Sequence, residues 1–174
     1  MDSITYDQTS FWKKLRSGEI AEMIKESVPG KKISCSKMVF SIMKPIFAQE
    51  DDVEKMYAIF LNSANQILAI EILSSGTLMR SIIHMREIIK KILAAKAAAF
   101  VLTHNHPSGD VEPSHEDIET TRTIFVAGKI VDAQLFDHII IGNDKYYSFS
   151  DNGDLSKIKK DTANIFKHFL VNNI

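Results

Sequence analysis

The sequence contains little cysteine, which limits how it could cross-link itself or bind a metal. Cys35 is the single cysteine among the 174 residues. These residues therefore cannot form a disulfide with one another, and they cannot assemble a zinc site from cysteine thiolates. Any metal must be held by histidine and carboxylate side chains.

The chain also lacks an excess of charge of one sign and a long apolar run. Its 21 Lys and Arg residues balance 22 Asp and Glu residues, whereas proteins that coat nucleic acid are usually strongly basic. No apolar run approaches the roughly 20 residues that span a bilayer, and residues 1–10 lack the apolar core of a secretory signal. We therefore expect a cytoplasmic protein without a membrane partner, and the charge argues against nucleic acid as a partner.

What the sequence does contain is a globular composition with alternating strand and helix patterns. Hydrophobic residues make up 45% and charged residues 25%, which is typical of a soluble domain. The alternation predicts an α/β or mixed α+β class. Strands are predicted at 56–61, 67–73, 99–103, 133–142 and 146–149, and helices at 84–98, 114–128 and 155–170. The segment 10–26, which Gly18 interrupts, is predicted as one helix or two short ones, and a further helix is capped by Ser34 and kinked or ended by the region of Pro45.

The segment 104–117 has the strongest chemical pattern in the chain, with three of the six histidines and two of the four prolines. His104 and His106 follow a buried strand at i and i+2, so their imidazoles can lie on one face. Asp117 comes eleven residues after His106, in the first turn of the predicted helix. Two His and one Asp leave a fourth position open for water, as in catalytic zinc sites.

Two simpler interpretations stay open for these residues. Two histidines two positions apart occur often by chance, and Ser114-x-x-Asp117 is also a helix capping box in which the acid only satisfies backbone N–H groups. For His138, next to Asp137 in a strand, a hydrogen-bonded core histidine is a better interpretation than a metal ligand.

The same residues fit a known signature. His104, His106, Ser114 and Asp117 match every position of the JAMM (JAB/MPN) metalloprotease motif, which is His-x-His, seven residues, Ser, two residues and Asp. More narrowly, the chain from about 33 to 149 resembles the RadC family. The similarity includes His-Asn-His-Pro-Ser-Gly, Pro-Ser-x-x-Asp and the shorter stretches Phe60-Leu61-Asn62, Gly76-Thr77, Arg86-Glu87, Asp137-His138 and Ile140-Ile141-Gly142.

This resemblance implies a three-layer α/β/α JAB/MPN fold, similar to that of cytidine deaminases, with a mixed sheet. It implies a zinc ion held by His104, His106, Asp117 and a water molecule. We expect a RadC-like JAB/MPN domain at 33–150, an N-terminal helical appendage at 1–32 and a C-terminal helix at 151–174. The appendage is too short for the helix-hairpin-helix domain that family members usually carry. Its Phe11, Trp12 and Leu15 would pack on the core or on a second copy in a homo-oligomer.

The resemblance also implies an activity, which is hydrolysis of a peptide or isopeptide bond by a zinc-activated water. The base in JAMM peptidases is an upstream glutamate, which matches Glu54 here, with Glu87 as the second choice. The Ser114 hydroxyl would donate to the developing oxyanion. His115 is expected to be exposed, and His84 to line the cleft without touching the metal.

Three other classes of function are compatible with parts of the pattern. A zinc nucleobase deaminase needs two cysteines in Pro-Cys-x-x-Cys, so the single cysteine nearly excludes it. A DNA-repair factor or nuclease is suggested by the family name, although the nuclease His-Asn-His residues are dispersed rather than adjacent. A noncatalytic binding module would have lost its ligands, whereas all of the candidate ligands are present here.

Overall fold

The computed structural model describes residues 13–14, 17–48, 53–76 and 85–172, with 164–172 described by their backbone. The expectations for Phe11, Trp12, Leu15 and His84 fall outside these residues. The helices are α1 Glu19–Ser27, α2 Ser36–Phe47, α3 Met85–Ala94, α4 His115–Ile130 and α5 Asp154–Asn172. The strands are β1 Lys55–Leu61, β2 Ile67–Ser75, β3 Ala99–Asn105, β4 Gln134–Ile141 and β5 Tyr146–Ser148.

The five strands form one sheet in the order β2-β1-β3-β4-β5. β1 is antiparallel to β2 and to β3, β3 is parallel to β4, and β4 is antiparallel to β5. All seven residues of the central strand β3 are buried, which explains its continuous apolar sequence, because helices cover both faces of the sheet. The predicted α/β class with three layers and a mixed sheet is confirmed.

Two apolar cores lie on opposite faces of the sheet, and side chains alternate between them along each strand. Helices α1 and α2 cover one face, and α3, α4 and α5 cover the other. The first core contains Val39, Met43, Ile59, Val101 and Ile139. The second contains Ala58, Phe60, Phe100, Leu102, Ile124 and Phe149.

The segment before β1 is tied to the turn between β1 and β2. The N–H of Gly30 donates to the carbonyl of Ile67, and the N–H of Ile33 donates to the carbonyl of Asn65, both at 2.8 Å. Ala21 of α1 and Val28 are buried in the first core. Residues 19–33 therefore pack on the sheet together with α2. Among the described residues, no helix has both the length and the apolar character needed to cross a bilayer.

Some element boundaries differ from the predicted ones. Helix α2 begins after Cys35, which makes no side-chain capping bond, so the prediction that Ser34 caps this helix is wrong. The Ser34 hydroxyl instead contacts the Met38 sulfur at 3.0 Å. Helix α2 continues two residues past Pro45 and then ends, which agrees with a stop near that proline.

Helix α3 and strand β3 also end at different residues from those predicted. Helix α3 ends at Ala94 rather than 98, because Lys96 adopts a left-handed φ of 51° and the N–H of Ala97 reaches back to the carbonyl of Ile92. That is a Schellman-type ending without a glycine. Strand β3 extends beyond 103 because the backbone of His104 and Asn105 continues its pairing with β4.

Candidate metal centre

Four side chains meet at one edge of the sheet, namely those of Glu54, His104, His106 and Asp117. Their potential ligand atoms all lie within 4.8 Å of one another. The Nε2 atom of His104 is 2.9 Å from Nε2 of His106, 3.0 Å from Oδ1 of Asp117 and 3.9 Å from Oε1 of Glu54. These residues could hold a metal ion.

Strand alternation explains why the four side chains meet. His104 follows Phe100 and Leu102 at two-residue intervals, so it lies on the face that α4 covers. In the antiparallel pairing of β1 with β3, Met56 lies opposite His104. Glu54 comes two residues before Met56, and His106 comes two residues after His104. Because the two strands are antiparallel, Glu54 and His106 lie next to each other at the same end of the sheet. Helix α4 then brings Asp117 in its first turn against His104.

His106 is oriented by the loop that follows it. Its Nδ1 atom lies 2.8 Å from the carbonyl oxygen of Asp110, and because a carbonyl only accepts, Nδ1 must carry the hydrogen. In the neutral ring, Nε2 is then a bare lone pair directed into the cluster. The side chain of Asp110 shapes the loop by accepting from the N–H of Val111 at 2.8 Å.

Asp117 is both a helix-capping residue and a member of the cluster. Its Oδ2 atom accepts the Ser114 N–H at 2.8 Å and the Ser114 hydroxyl at 2.6 Å, and its own N–H donates to the Ser114 Oγ atom. This capping box occupies Oδ2, whereas Oδ1 faces His104. The two interpretations of the sequence motif are therefore compatible, because each uses a different carboxylate oxygen.

The cluster favours a positive charge at its centre. Hydrogen bonding to the Asp117 carboxylate raises the pKa of His106 despite partial burial of the ring. Burial would raise the pKa of Asp117, but contact with His104, His106 and Ser114 holds it well below the usual range. Two imidazole Nε2 atoms and an ionised carboxylate that converge in this way suit a cation between them, so the donor set fits a metal ion.

Glu54 is held by a side chain that the sequence analysis did not identify. Asn105 is buried. Its Oδ1 atom accepts the N–H of Lys55 at 2.8 Å, and its Nδ2 atom donates to the carbonyl of Val53 at 3.1 Å. Both neighbours of Glu54 in the chain are thus fixed to the residue between the two histidines. The Glu54 side chain remains 32% exposed, so water can reach it.

A cleft of about 440 Å³ opens beside His106, the one member of the cluster that lines it. It lies between the end of α2 and the ends of β3 and β4. His106, Asn105, Phe47 and Ile141 are among the residues that line it. Lys44 and Asp144, which also line the cleft, form an ion pair of 2.7 Å.

Comparison with known proteins identifies the family. The family model described as the RadC-like JAB domain matches residues 33–154. The chain belongs to this family. The RadC-like JAB domain is 42% identical over 125 residues to a UPF0758 protein of Methanosarcina mazei, which covers 72% of this chain and 54% of the relative. It is 48% identical over 102 residues to a UPF0758 protein of Desulforudis audaxviator, which covers 59% of this chain and 44% of the relative.

A third relative is covered to a similar extent. UPF0758 protein STH371 of Symbiobacterium thermophilum is 39% identical over 120 residues, which cover 69% of this chain and 51% of that protein. The chain thus spans about half the length of the curated relatives that it matches. The three names state no activity.

In this RadC-like JAB domain, Glu87 does not join the cluster of the described residues. It lies in the first turn of α3 and contacts Lys90 at 3.2 Å and Arg86 at 3.3 Å. Hydrogen bonding to Lys90 lowers the pKa of Glu87. These contacts leave Glu54, and not the second choice Glu87, as the glutamate next to the histidines. His115 is exposed, as expected.

Two further side chains, those of His138 and Thr121, lie behind His104, and only His138 was singled out from the sequence. His138 of β4 is fully buried, as expected for a core histidine. Its Nε2 atom lies 2.8 Å from Nδ1 of His104, and its Nδ1 atom lies 2.6 Å from Oγ1 of Thr121. Thr121 was missed, although its position one helical turn after Asp117 is the signal that could have identified it.

Proposed function

We propose that this RadC-like JAB domain is a zinc-dependent hydrolase of the JAMM type that cleaves a peptide or isopeptide bond. The observation that carries this proposal is the convergence of two imidazole Nε2 atoms and one carboxylate oxygen, with a second, more exposed carboxylate beside them. Three protein ligands and an open side are typical of catalytic zinc sites, whereas structural sites are closed by four protein ligands.

His104, His106 and Asp117 would hold the metal. Zinc fits this donor set because imidazole nitrogen and carboxylate oxygen are among its common ligands. When bound, zinc supplies Lewis acidity and makes water nucleophilic near neutral pH. The 3.0 Å contact between His104 and Asp117 and the buried position of both side chains support this assignment.

Glu54 would act as the general base. Its carboxylate is the most exposed member of the cluster and lies 3.9 Å from Nε2 of His104, which leaves it accessible to a water molecule at the edge of the cluster. It would accept a proton from that water and return the proton to the leaving amine. The bond that Asn105 accepts from the Lys55 N–H and the bond that it donates to the Val53 carbonyl support this role, because a base must be held within hydrogen-bond reach.

Ser114 would donate a hydrogen bond to the oxyanion that develops at the scissile carbonyl. In the structure, its hydroxyl hydrogen is directed to Oδ2 of Asp117 at 2.6 Å. The proposed donation therefore requires the hydroxyl to turn toward the substrate. The Ser114 N–H would keep its own bond to the same oxygen and maintain part of the cap.

The cleft beside His106 would receive the substrate. Its volume of about 440 Å³ is within the range of small-ligand sites and can accept one or two residues of an extended chain. Phe47 and Ile141 offer apolar surface, and the Lys44–Asp144 pair and Asn143 offer polar groups. An amide substrate is favoured because Glu54 can protonate an amine as it leaves.

The test is cleavage of two peptide pools by the zinc-loaded protein. One pool contains linear peptides, and the other contains peptides branched through a lysine ε-amide. Mass spectrometry would identify new amino termini or released branches. We expect cleavage in at least one pool, and we expect Glu54→Gln to retain zinc while cleaving about 100- to 10,000-fold more slowly.

The matched control is Glu87→Gln, which should cleave like the wild type because Glu87 contacts Lys90 and Arg86 instead of the cluster. Equal cleavage by wild type and Glu54→Gln would overturn the base assignment. Absence of cleavage in both pools, together with zinc-dependent nicking of plasmid DNA, would favour a DNA-processing enzyme. Absence of both activities would favour a binding module.

A further inference from the structure

We propose that Thr121 and His138 are positioning residues that fix the hydrogen of His104 on Nδ1 and so keep its Nε2 atom available to a metal. This inference rests on the proposed function, because it concerns the same metal centre. It assigns a role to two buried side chains that touch neither the metal position nor the cleft.

The first step fixes the direction of the Thr121 hydroxyl. Its Oγ1 atom lies 2.5 Å from the carbonyl oxygen of Asp117, one turn earlier in α4. A carbonyl oxygen only accepts, so the single hydroxyl hydrogen must be donated to it. The Thr121 oxygen can then only accept from its other neighbour, which is Nδ1 of His138. Nδ1 of His138 therefore carries a hydrogen.

The second step establishes that Nε2, the other ring nitrogen of His138, is an acceptor. This side chain is fully buried, and Phe149 stacks on its ring at a centroid distance of 4.9 Å. Its two ring nitrogens contact the Thr121 hydroxyl and the His104 ring, and a fully buried imidazole without a carboxylate at either ring nitrogen is neutral, so its one hydrogen is on Nδ1. Its Nε2 atom is then an acceptor. The 2.8 Å contact with His104 requires His104 to donate from Nδ1.

The tautomer of His104 follows from this contact. With Nδ1 of His104 donating to His138, the neutral His104 ring presents a bare Nε2 atom to Asp117 and His106. In the opposite tautomer, Nε2 would carry the hydrogen and could not bind a metal ion. The chain of bonds also begins at the backbone of Asp117. It therefore links two of the proposed metal ligands through α4 and β4.

The ring hydrogen is fixed on Nδ1 in both histidines of the cluster, but by different partners. His106 donates directly to a backbone carbonyl, that of Asp110, and a carbonyl fixes the tautomer without help. His104 donates to another imidazole, which could itself accept or donate. Thr121 determines which of the two His138 does, because the Thr121 hydroxyl donates its own hydrogen to the Asp117 carbonyl and can only accept from His138.

The experiment compares Thr121→Val with Thr121→Ser in the full chain. Valine keeps the branched shape and removes the hydroxyl, whereas serine keeps the hydroxyl. Zinc affinity would be measured by competition with a chromophoric chelator. We expect Thr121→Val to bind zinc about 10- to 100-fold more weakly, which is the usual effect of losing an outer-shell partner. We expect Thr121→Ser to remain within a few-fold of the wild type.

A second readout reports the tautomer itself. Long-range ¹H–¹⁵N spectra of the histidine side chains should show the hydrogen of His138 on Nδ1 in the wild type and in Thr121→Ser, with and without zinc. In Thr121→Val we expect a mixture of both tautomers. A merely structural role for Thr121 would change the melting temperature but leave the tautomer of His138 unchanged.

A second pair of variants removes the other link. His138→Leu deletes the acceptor for His104, and His138→Gln offers an amide oxygen in its place. We expect weaker zinc binding in the leucine variant and partial recovery in the glutamine variant. A hydrogen on Nε2 of His138 in the wild type, or unchanged zinc affinity in Thr121→Val, would overturn the inference. Neither readout involves turnover, so a protein that binds zinc without hydrolysing amides would overturn only the proposed function.

Discussion

At the scale of single residues, the centre depends on side chains that use their two polar atoms for different purposes. Asp117 caps α4 with Oδ2 and faces His104 with Oδ1. His106 fixes its ring with Nδ1 and directs Nε2 inward. Each of these side chains uses one polar atom for a hydrogen bond that fixes its position and directs the other polar atom into the cluster. The local structure is therefore already arranged for metal binding.

The divided role of Asp117 predicts the effect of Asp117→Asn. The amide oxygen can accept the two bonds from Ser114, so the cap is kept, while the amide NH₂ group faces the imidazoles and ligates poorly. We expect the zinc affinity to fall by at least about 100-fold. We expect the melting temperature of the metal-free protein to change little. Chelator competition and thermal unfolding would measure the two effects.

Ser114→Ala is the matched control for the cap. It removes the hydroxyl but leaves both oxygens of Asp117 in place, and loss of an N-cap side chain costs about 1 kcal/mol of stability. We expect a lower melting temperature with zinc binding largely kept. If Asp117→Asn binds zinc like the wild type, capping is the only role of Asp117 and the metal centre must be reassigned.

At the scale of elements, the loop between β3 and α4 is held by the end of β4. A Cβ atom on Gly142 would lie 2.6 Å from the carbonyl oxygen of Gly109 and 2.9 Å from Val111. These residues flank Asp110, whose carbonyl orients His106. The close approach of two backbones therefore determines where the His106 ring lies, and it requires glycine at 142.

This contact predicts that Gly142→Ala displaces the loop. We expect a loss of about 1–3 kcal/mol in the free energy of unfolding, as in other overpacked sites, and about tenfold weaker zinc binding. Gly128→Ala is the control, because its Cβ would lie 2.5 Å from the carbonyl of Ala133 and 2.9 Å from Phe100, at the other end of β3. It should destabilise the protein without weakening zinc binding. Equal zinc affinities in the two variants would contradict the loop argument.

The elements themselves could largely be predicted from the sequence, because the apolar patterns are strong. The continuous apolar run from Ala99 indicated a buried strand, and the histidines at its end indicated a metal centre. The cap of α2 and the end of α3 could not be predicted in the same way. The first lacks a side-chain bond altogether, and the second uses a left-handed lysine rather than a glycine.

The rest of the centre depends on contacts between distant parts of the chain. Asn105 and Thr121 are ordinary polar residues in the sequence, and their roles appear only once β1, β3, β4 and α4 are packed together. Glu54 could be selected only through the family pattern, because the pairing of β1 with β3 that brings it to the histidines is not encoded in local spacing. Local patterns therefore predicted the proposed ligands and missed their supports.

At the scale of the whole molecule, the cluster connects three separate parts of the fold. Glu54 precedes β1, His104 and His106 lie at the end of β3, and Asp117 begins α4. Glu54 is distant from the histidines along the chain and Asp117 is separated from them by a loop, so an unfolded chain does not hold these parts together. A metal ion would therefore bind the folded protein much better than the unfolded chain, and would stabilise it by mass action.

This linkage predicts that chelation lowers the melting temperature. At a free zinc concentration about 100 times the Kd, the stabilisation is about 2.7 kcal/mol, which corresponds to a shift of about 5–10 °C for a domain of this size. Differential scanning calorimetry with zinc and with chelator would measure it. His104→Ala should show no such shift, and Glu54→Gln should retain it. A shift of equal size in His104→Ala would mean that zinc acts elsewhere.

The proposed zinc site can be tested directly by anomalous X-ray diffraction from crystals of the zinc-loaded protein, collected above and below the zinc absorption edge. We expect one strong difference peak in contact with Nε2 of His104, Nε2 of His106 and Oδ1 of Asp117, with the Glu54 carboxylate beside it and not closing the fourth position. A map without a peak at these atoms, or a peak enclosed by four protein ligands, would contradict the proposed site.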